Sequence, residues 1–112
     1  MELMTNTRLK HWYKVFNRKY FKNELPNLEV KFSKELPDQM MGGSRWNRKR
    51  GKDASFNAIW INWAHRKGTV IAIQTLLHEM CHIAIGPRYN HGTRFHKQID
   101  RLYKAGAYKG LL

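Results

Sequence analysis

Two histidines and a glutamate at fixed spacing carry the chemistry that this sequence indicates most directly. His78-Glu79-Met80-Cys81-His82 fits the pattern His-Glu-x-x-His. Helical residues four apart project from one face, so both imidazoles can reach one metal ion at about 2.0–2.1 Å. Glu79 is offset around the helix, where its carboxylate can hold a metal-bound water instead of the metal. With zinc, which lowers the pKa of bound water to about 7 and polarises a carbonyl group, the motif predicts hydrolysis with Glu79 as general base.

The simpler interpretation of this motif is a helix that merely carries two histidines. Three features favour a metal site instead. The motif lies within a strongly periodic helical segment, its histidines fall opposite the apolar stripe of that segment, and another histidine follows the helix break at Gly86-Pro87. We therefore predict that His78 and His82 bind a metal ion.

A catalytic zinc site needs a third protein ligand and keeps one position open. We predict His91 for this role, because it lies at a helix entrance beside Gly92, where the backbone can approach the metal closely. The alternative third ligand is His96, inside the following helix. The metzincin spacing is not met, since Ile85 and Arg88 occupy the positions of its glycine and third histidine.

These motifs together resemble the SprT-like (Spartan-type) metalloprotease domain. That family carries a leucine-rich lead-in to the His-Glu-x-x-His motif, as in Leu76-Leu77, and an H-G-x-x-F segment bearing the third zinc ligand, as in His91–Phe95. The resemblance spans roughly residues 9 to 103, and its upstream part rests on Phe16-Asn17, Tyr20-Phe21 and Leu25-Pro26. It implies one zinc ion per chain on His78, His82 and His91, with Glu79 as the catalytic residue.

The resemblance also implies a function. Members of the family include proteases that cut proteins crosslinked to DNA, so we expect a zinc metalloendopeptidase that hydrolyses peptide bonds in DNA-associated or DNA-crosslinked proteins, as in DNA–protein crosslink repair. One alternative is a nucleic-acid-binding protein with a structural zinc, closed by a fourth ligand such as His96, and with vestigial or no peptidase activity. Glu79 speaks against it, because a structural site has no use for a general base. Another alternative is a metal-dependent hydrolase of a non-protein bond.

Hydrophobic periodicity predicts the helices that must position these residues. Apolar residues at spacings of three and four predict a first helix over Thr5–Phe21. A second helix, with Thr69 as N-cap, runs to about Ile85 and carries the motif. Its predicted core stripe is Ile73, Leu76, Leu77, Met80 and Ala84, and a last helix follows over Thr93–Lys104.

Strands are predicted between the first two helices. Alternating polarity predicts them at Leu28–Phe32, at Ser44–Lys49 after a turn at Gly42-Gly43, and at Ala54–Asn62 after a hairpin around Gly51. We expect the last strand to be the edge along which an extended peptide adds. The predicted class is α+β: an N-terminal helix, a small three-stranded antiparallel sheet, the motif helix and a C-terminal helix, as in a zincin-like metallopeptidase core.

Chain length and the number of cysteines limit the domain organisation and the kinds of metal or disulfide site that the protein can have. The 112 residues fit one domain, so we expect a single SprT-like metallopeptidase domain over residues 1–112 without a C-terminal zinc ribbon. The lone cysteine, Cys81, excludes both an internal disulfide and a zinc ribbon. No segment has the pattern of a signal peptide or of a membrane span. We therefore expect a cytoplasmic protein, in the host cytoplasm if it is viral, and association with the nucleoid is compatible with this location.

The charge indicates a polyanionic partner. Lys and Arg number 21 against 8 acidic residues, a formal net charge of +13, and DNA is the expected partner beside the protein substrate. We expect a monomer without membrane association. The predicted nucleic-acid-binding residues are Arg45, Trp46, Arg48, Lys49, Arg50 and Lys52, with the Trp46 ring stacking on an unpaired base. The alternative is a solvated basic hairpin with Trp46 packed inward.

Overall fold

The structure is a computed structural model that describes residues 3–47, 49–50, 54–87 and 91–109. Within these residues the elements are α1 (Asn6–Tyr20), β1 (Glu29–Ser33), β2 (Gly42–Trp46), β3 (Phe56–Asn62), α2 (Thr69–Ile85) and α3 (Thr93–Lys104). A 3-10 helix, Trp63–Lys67, joins β3 to α2 and was not predicted from the sequence. The α+β class and the order of the predicted elements are confirmed.

The sheet is mixed, whereas the sequence analysis predicted an antiparallel one. Its strand order is β1-β3-β2, with β2 antiparallel and β1 parallel to β3. The prediction of an antiparallel sheet fails at β1, because residues 34–41 carry the chain from one edge of the sheet to the other. The Asn62 side chain holds this crossing by donating hydrogen bonds to the carbonyls of Pro37 at 3.2 Å and Met40 at 2.8 Å. β3 is therefore the central strand, and its prediction as the peptide-binding edge was wrong.

The edge strand β2 also differs from its predicted bounds. It begins at Gly42, where a turn was predicted, and ends at Trp46 instead of Lys49. A Cβ atom on Gly42 would lie 2.7 Å from Thr75 Cγ2 and 3.0 Å from the Trp60 carbonyl oxygen. Glycine therefore serves close packing of β2 against α2 here, not a turn. The hairpin predicted around Gly51 lies outside the described residues.

Helix α1 forms as its periodicity predicts. The Thr5 side chain caps it by accepting a hydrogen bond from the backbone N–H of Arg8 at 3.1 Å. At the other end, the Asn17 side chain bonds both the N–H and the carbonyl of Leu25, at 3.1 and 3.0 Å, which holds the chain as it leaves the helix. Leu9, Tyr13 and Phe16 are the buried residues of this helix.

Helix α2 is the central element of the core. It begins at Thr69, one residue before the start that the predicted N-cap implies. Gly68 is the N-cap and no side chain caps the helix, so the prediction of Thr69 as N-cap was wrong. Four of the five predicted core residues are buried, whereas Ala84 is exposed. Because α2 contacts the sheet, α1 and α3, its buried surface extends beyond one stripe to Cys81 and Ile83.

One hydrophobic cluster joins the described elements. Val30, Phe32, Ile59 and Ile61 from the sheet pack with buried residues of all three helices. No helix in the described part of the chain is long and apolar enough to cross a membrane.

Candidate metal centre

Two histidines of α2 and a third from the segment before α3 converge at one point. His78 and His82 lie one turn apart on α2, and His91 lies just before the start of α3. The Nε2 atom of His91 is 3.1 Å from Nε2 of His78 and 2.9 Å from Nε2 of His82. Their potential ligand atoms all lie within 4.8 Å of one another, so the three side chains could hold a metal ion.

This arrangement fits a tetrahedral metal ion. Nitrogen ligands at 2.0–2.1 Å around such an ion lie about 3.3 Å apart, close to the separations found between these imidazoles. A hydrogen bond between two imidazole nitrogens uses one proton, so three nitrogens at one point cannot all be paired by hydrogen bonds. A single cation between them can instead accept a lone pair from each nitrogen. Within the described residues, no fourth histidine, cysteine, aspartate or glutamate joins the group, so it matches the three-ligand pattern of a catalytic site.

The ring of Phe95 packs against all three imidazoles. Its centroid is 4.8 Å from that of His78, 4.6 Å from His82 and 4.7 Å from His91. Phe95 is itself 4% exposed, so it is a fixed wall. The first turn of α3 thereby restricts the orientation of each imidazole and positions His91 against α2.

The protonation of two histidines favours metal binding. Burial lowers the pKa of His78, and the neighbouring His91 lowers it further. Burial, together with His78 and His91, lowers the pKa of His82 to about 4. Both rings are therefore neutral at pH 7, and neutral imidazole is the form that binds a metal.

Glu79 lies beside this group with a buried carboxyl that is 6% exposed. The hydroxyl of Ser44 on β2 donates a hydrogen bond to its Oε1 atom at 2.7 Å. Burial raises the pKa of Glu79, and the Ser44 hydrogen bond lowers it by a smaller amount. A carboxyl with a raised pKa beside a candidate metal site suits proton transfer near neutral pH.

A cleft between β2 and α2 leads to these residues. Its volume is about 360 Å³, and it is lined by Met41, Gly42, Gln74, Thr75, His78 and Glu79. We call it the β2–α2 cleft.

Strand β2 presents a free backbone edge in the described structure. The Met41 carbonyl accepts a hydrogen bond from the backbone N–H of Asn62 at 2.8 Å. In an antiparallel ladder alternate residues bond the same neighbour, so Gly43 also faces β3. The backbone groups of Gly42 and Ser44 therefore point away from β3.

The remaining histidines lie apart from His78, His82 and His91. His96, the alternative third ligand, is exposed on α3, with its ring centroid 6.0 Å from that of Phe95. His11 stacks edge-on against Trp12, and His65 lies in the 3-10 helix. Among the described residues, the structure brings His91 to His78 and His82, and not His96.

The predicted nucleic-acid-binding residues are only partly described. Arg48 and Lys52 lie outside the described residues, whereas Arg45, Trp46, Lys49 and Arg50 are all exposed. Trp46 is 39% exposed, which argues against the alternative in which its ring packs inward. The Arg45 guanidinium lies 4.5 Å from the ring centroid of Trp60 on the outer face of the sheet.

The sequence of this chain also matches a known protein family. The model of the SprT-like family matches residues 9–110. The chain belongs to the SprT-like family. The match covers nearly the whole chain, confirms the resemblance read from the sequence, and indicates a metalloprotease-like domain. Searches of curated proteins and of solved structures found no match.

Three residues of the site were missed by the sequence analysis. Ser44 was assigned only to a strand, Gly42 to a turn, and Thr75 to no role. Ser44 and Gly42 alternate along β2, and this period of two could have indicated one face, but not that α2 lies opposite. Phe95 was named as the last residue of the H-G-x-x-F segment, and its contact with all three histidines was not predicted.

Proposed function

We propose that this member of the SprT-like family is a zinc-dependent metalloendopeptidase. The observation that carries the proposal is the convergence of three imidazole nitrogens immediately beside the buried carboxyl of Glu79. Zinc is the metal of choice because three imidazoles without thiolates, plus an open position, are typical of catalytic zinc sites.

The chain's own residues have distinct roles in this proposal. His78, His82 and His91 would hold the ion, which when bound supplies a Lewis acid for the scissile carbonyl and lowers the pKa of water. Glu79 would accept the proton of the attacking water on its carboxylate and deliver it to the leaving amine. Ser44 would keep that carboxylate in place through the hydrogen bond to Oε1.

The free edge of β2 supports a protein substrate. An extended peptide can bond the outward backbone groups of Gly42 and Ser44, while its own backbone passes the β2–α2 cleft beside His78 and Glu79. Such binding relies on main-chain atoms, so it suits cleavage within a chain of varied sequence. The peptide-binding edge in this proposal is therefore β2 and not β3, the strand predicted from the sequence.

We further propose that the substrates are DNA-associated or DNA-crosslinked proteins. The net charge of +13 favours binding to DNA, and Arg45, Lys49 and Arg50 lie exposed beside the partly exposed Trp46 ring. This surface adjoins β2, so DNA held there would bring its bound protein close to the cleft.

The catalytic proposal is tested with the Glu79→Gln variant. Zinc-loaded parent protein should cleave a basic DNA-bound test protein, whereas the variant should not, although its zinc content stays near one ion per chain. Glu35→Gln, which changes an exposed carboxylate remote from the motif in sequence, is the matched control and should cut like the parent. Equal cleavage by parent and Glu79→Gln would show the mechanism to be wrong. Zinc and DNA binding without any cleavage by the parent would favour the structural-zinc alternative.

The DNA proposal is tested by the salt dependence of affinity. Each lost phosphate contact should reduce the slope of log affinity against log salt by about 0.9 for duplex DNA. Replacing Lys49 and Arg50 by alanine should therefore flatten the slope, while replacing Lys22 and Lys97, which are exposed elsewhere, should not. An unchanged slope in the first variant would exclude this surface as the DNA-binding site.

A further inference from the structure

A second cleft meets the β2–α2 cleft at His78. It lies between α2 and α3, has a volume of about 330 Å³, and shares Gln74 and His78 with the first cleft. Since Gln74 and His78 are one turn apart on α2, they form the ridge between the two clefts. We call the second cleft the α2–α3 trough.

The α2–α3 trough is walled by one apolar stripe of α3. Phe95, Ile99 and Tyr103 follow at intervals of four residues and therefore lie on one face of the helix. Tyr108, from the turn after α3, closes the wall, with its ring centroid 5.4 Å from that of Tyr103.

Exposure differs between the two ends of the α3 stripe. Phe95 is 4% exposed where it contacts the three histidines, whereas Tyr103 is 55% exposed at the opposite end. The trough therefore leads from the candidate metal centre outward to solvent.

The trough carries no charge that could hold a basic or acidic side chain. Its lining includes His96 but no carboxylate, lysine or arginine. A cationic side chain would find no counter-ion there, and the net charge of +13 adds repulsion. A large apolar side chain would instead cover the exposed parts of Ile99 and Tyr103.

We propose that the α2–α3 trough binds the side chain of a substrate residue that flanks the scissile bond, and that it selects a large apolar or aromatic residue. This inference rests on the proposed peptidase function. In an extended peptide beside β2, successive side chains point to opposite sides, so a residue next to the cleavage point can project past His78 into the trough. The trough thereby adds side-chain selection to the backbone binding at β2.

This selection has a consequence for the class of substrate. DNA-binding proteins carry exposed basic segments, whereas their large apolar residues are mostly buried in the native fold. An enzyme that needs an apolar residue in an extended segment would spare intact basic tails. It would cut chains that are unfolded or locally opened, as a damaged or crosslinked protein can be.

The first test uses short peptides that differ at one position beside the cleavage site. With zinc-loaded parent protein, Phe and Leu should raise kcat/KM by about tenfold or more over Ala, and Lys and Asp should lower it. The same order should appear in the binding of these peptides to zinc-loaded Glu79→Gln, measured by fluorescence anisotropy. Equal rates and equal affinities for all peptides would overturn the inference while leaving the peptidase intact. Apolar preference in binding without cleavage by the parent would overturn the proposed function and keep the trough.

The second test changes the trough itself. Ile99→Phe should fill it and lower kcat/KM for the Phe peptide about tenfold, with little change for the Ala peptide. Tyr103 is exposed, so Tyr103→Ala should not prevent folding. This variant should also reduce the preference for Phe over Ala. Lys97→Ala, on the opposite face of α3, is the control and should keep the parent's preference. Zinc content and unfolding temperature verify each fold, and unchanged selectivity in both trough variants would refute the assignment.

Discussion

The hydroxyl of Ser44 donates a hydrogen bond to Oε1 of Glu79 across the interface between β2 and α2, at 2.7 Å. Ser44 thus links the strand edge that would bind a peptide to the carboxyl that would act on it. A hydrogen bond to an ionised group contributes roughly 1.5–3 kcal/mol. Displacement of β2 would therefore weaken this hydrogen bond and change the position of the Glu79 carboxyl.

Removing this hydroxyl should weaken catalysis and shift its pH dependence. Ser44→Ala should lower kcat by about tenfold to a hundredfold, if the hydrogen bond acts in the transition state. The Ser44 hydrogen bond lowers the pKa of Glu79 against the larger effect of burial, so its loss should raise that pKa further. The acid limb of the pH profile of kcat/KM should then move to higher pH. Ser44→Thr retains the hydroxyl and should restore both quantities, and a profile that Ser44→Ala leaves in place would contradict this role.

Two adjacent glycines of β2 should respond differently to the same substitution. In Gly42→Ala the new methyl group would lie 2.7 Å from Thr75 Cγ2 and 3.0 Å from the Trp60 carbonyl oxygen. Overpacking of this kind costs about 1–3 kcal/mol and would push β2 away from α2, with loss of peptidase activity. In Gly43→Ala the nearest atom is 3.9 Å away, an ordinary contact, so stability and activity should be close to those of the parent. Urea unfolding of both variants measures the difference, and equal stabilities would show that the close approach at Gly42 is relieved at no cost.

The helices and the three-histidine group were predictable because their signals are local. Periodic apolar residues mark α1, α2 and α3, and the spacing of His78, Glu79 and His82 places them on one helix without knowledge of the fold. His91 was predicted from its position next to Gly92. All three histidines do come together in the structure.

The sheet was less predictable because its order depends on contacts distant in sequence. The Asn62 side chain bonds carbonyls 25 and 22 residues earlier, at Pro37 and Met40, and nothing local to Asn62 indicates them. Ser44 and Glu79 are 35 residues apart, so their hydrogen bond depends on β2 being the edge next to α2. Ala84 was assigned to the core because it fits the apolar periodicity of α2, but periodicity does not show which residues of a helix other elements cover, and Ala84 is exposed.

The metal-free protein should lose stability in mild acid through its histidines. In the unfolded chain histidine titrates near pH 6.5, whereas the folded chain has a lowered pKa at His78 and a pKa of about 4 at His82. Between these values the unfolded chain binds more protons, so the free energy of unfolding should fall as the pH falls from 7 to 5. Urea unfolding of chelator-treated protein at both pH values measures this change.

Glu79 opposes this effect, because burial raises its pKa and the folded chain then retains a proton that the unfolded chain loses. The comparison is therefore made in the Glu79→Gln background. There, replacement of both His78 and His82 by glutamine should reduce the pH dependence. The same slope with and without the two histidines would show that they do not titrate as the structure indicates.

His91 and His96 provide a matched pair for the third metal ligand. Both are exposed and lie at the start of α3, but the Nε2 atom of His91 is within 3.1 Å of Nε2 of both motif histidines, whereas His96 lies beside the α2–α3 trough. His91→Ala should therefore weaken zinc binding by more than the roughly 10–100-fold that loss of an outer-shell partner costs. His96→Ala should leave zinc affinity unchanged.

Competition with a chromogenic chelator measures both affinities, and thermal unfolding with excess zinc provides an independent readout. A bound ligand stabilises the folded state by an amount that grows with the logarithm of the ratio of free ligand to its Kd. Excess zinc should therefore raise the unfolding temperature of the parent and of His96→Ala equally, and that of His91→Ala much less. The reverse order would assign the third ligand to His96. It would also require α3 to rotate, since in the present arrangement Phe95, and not His96, faces the two histidines of α2.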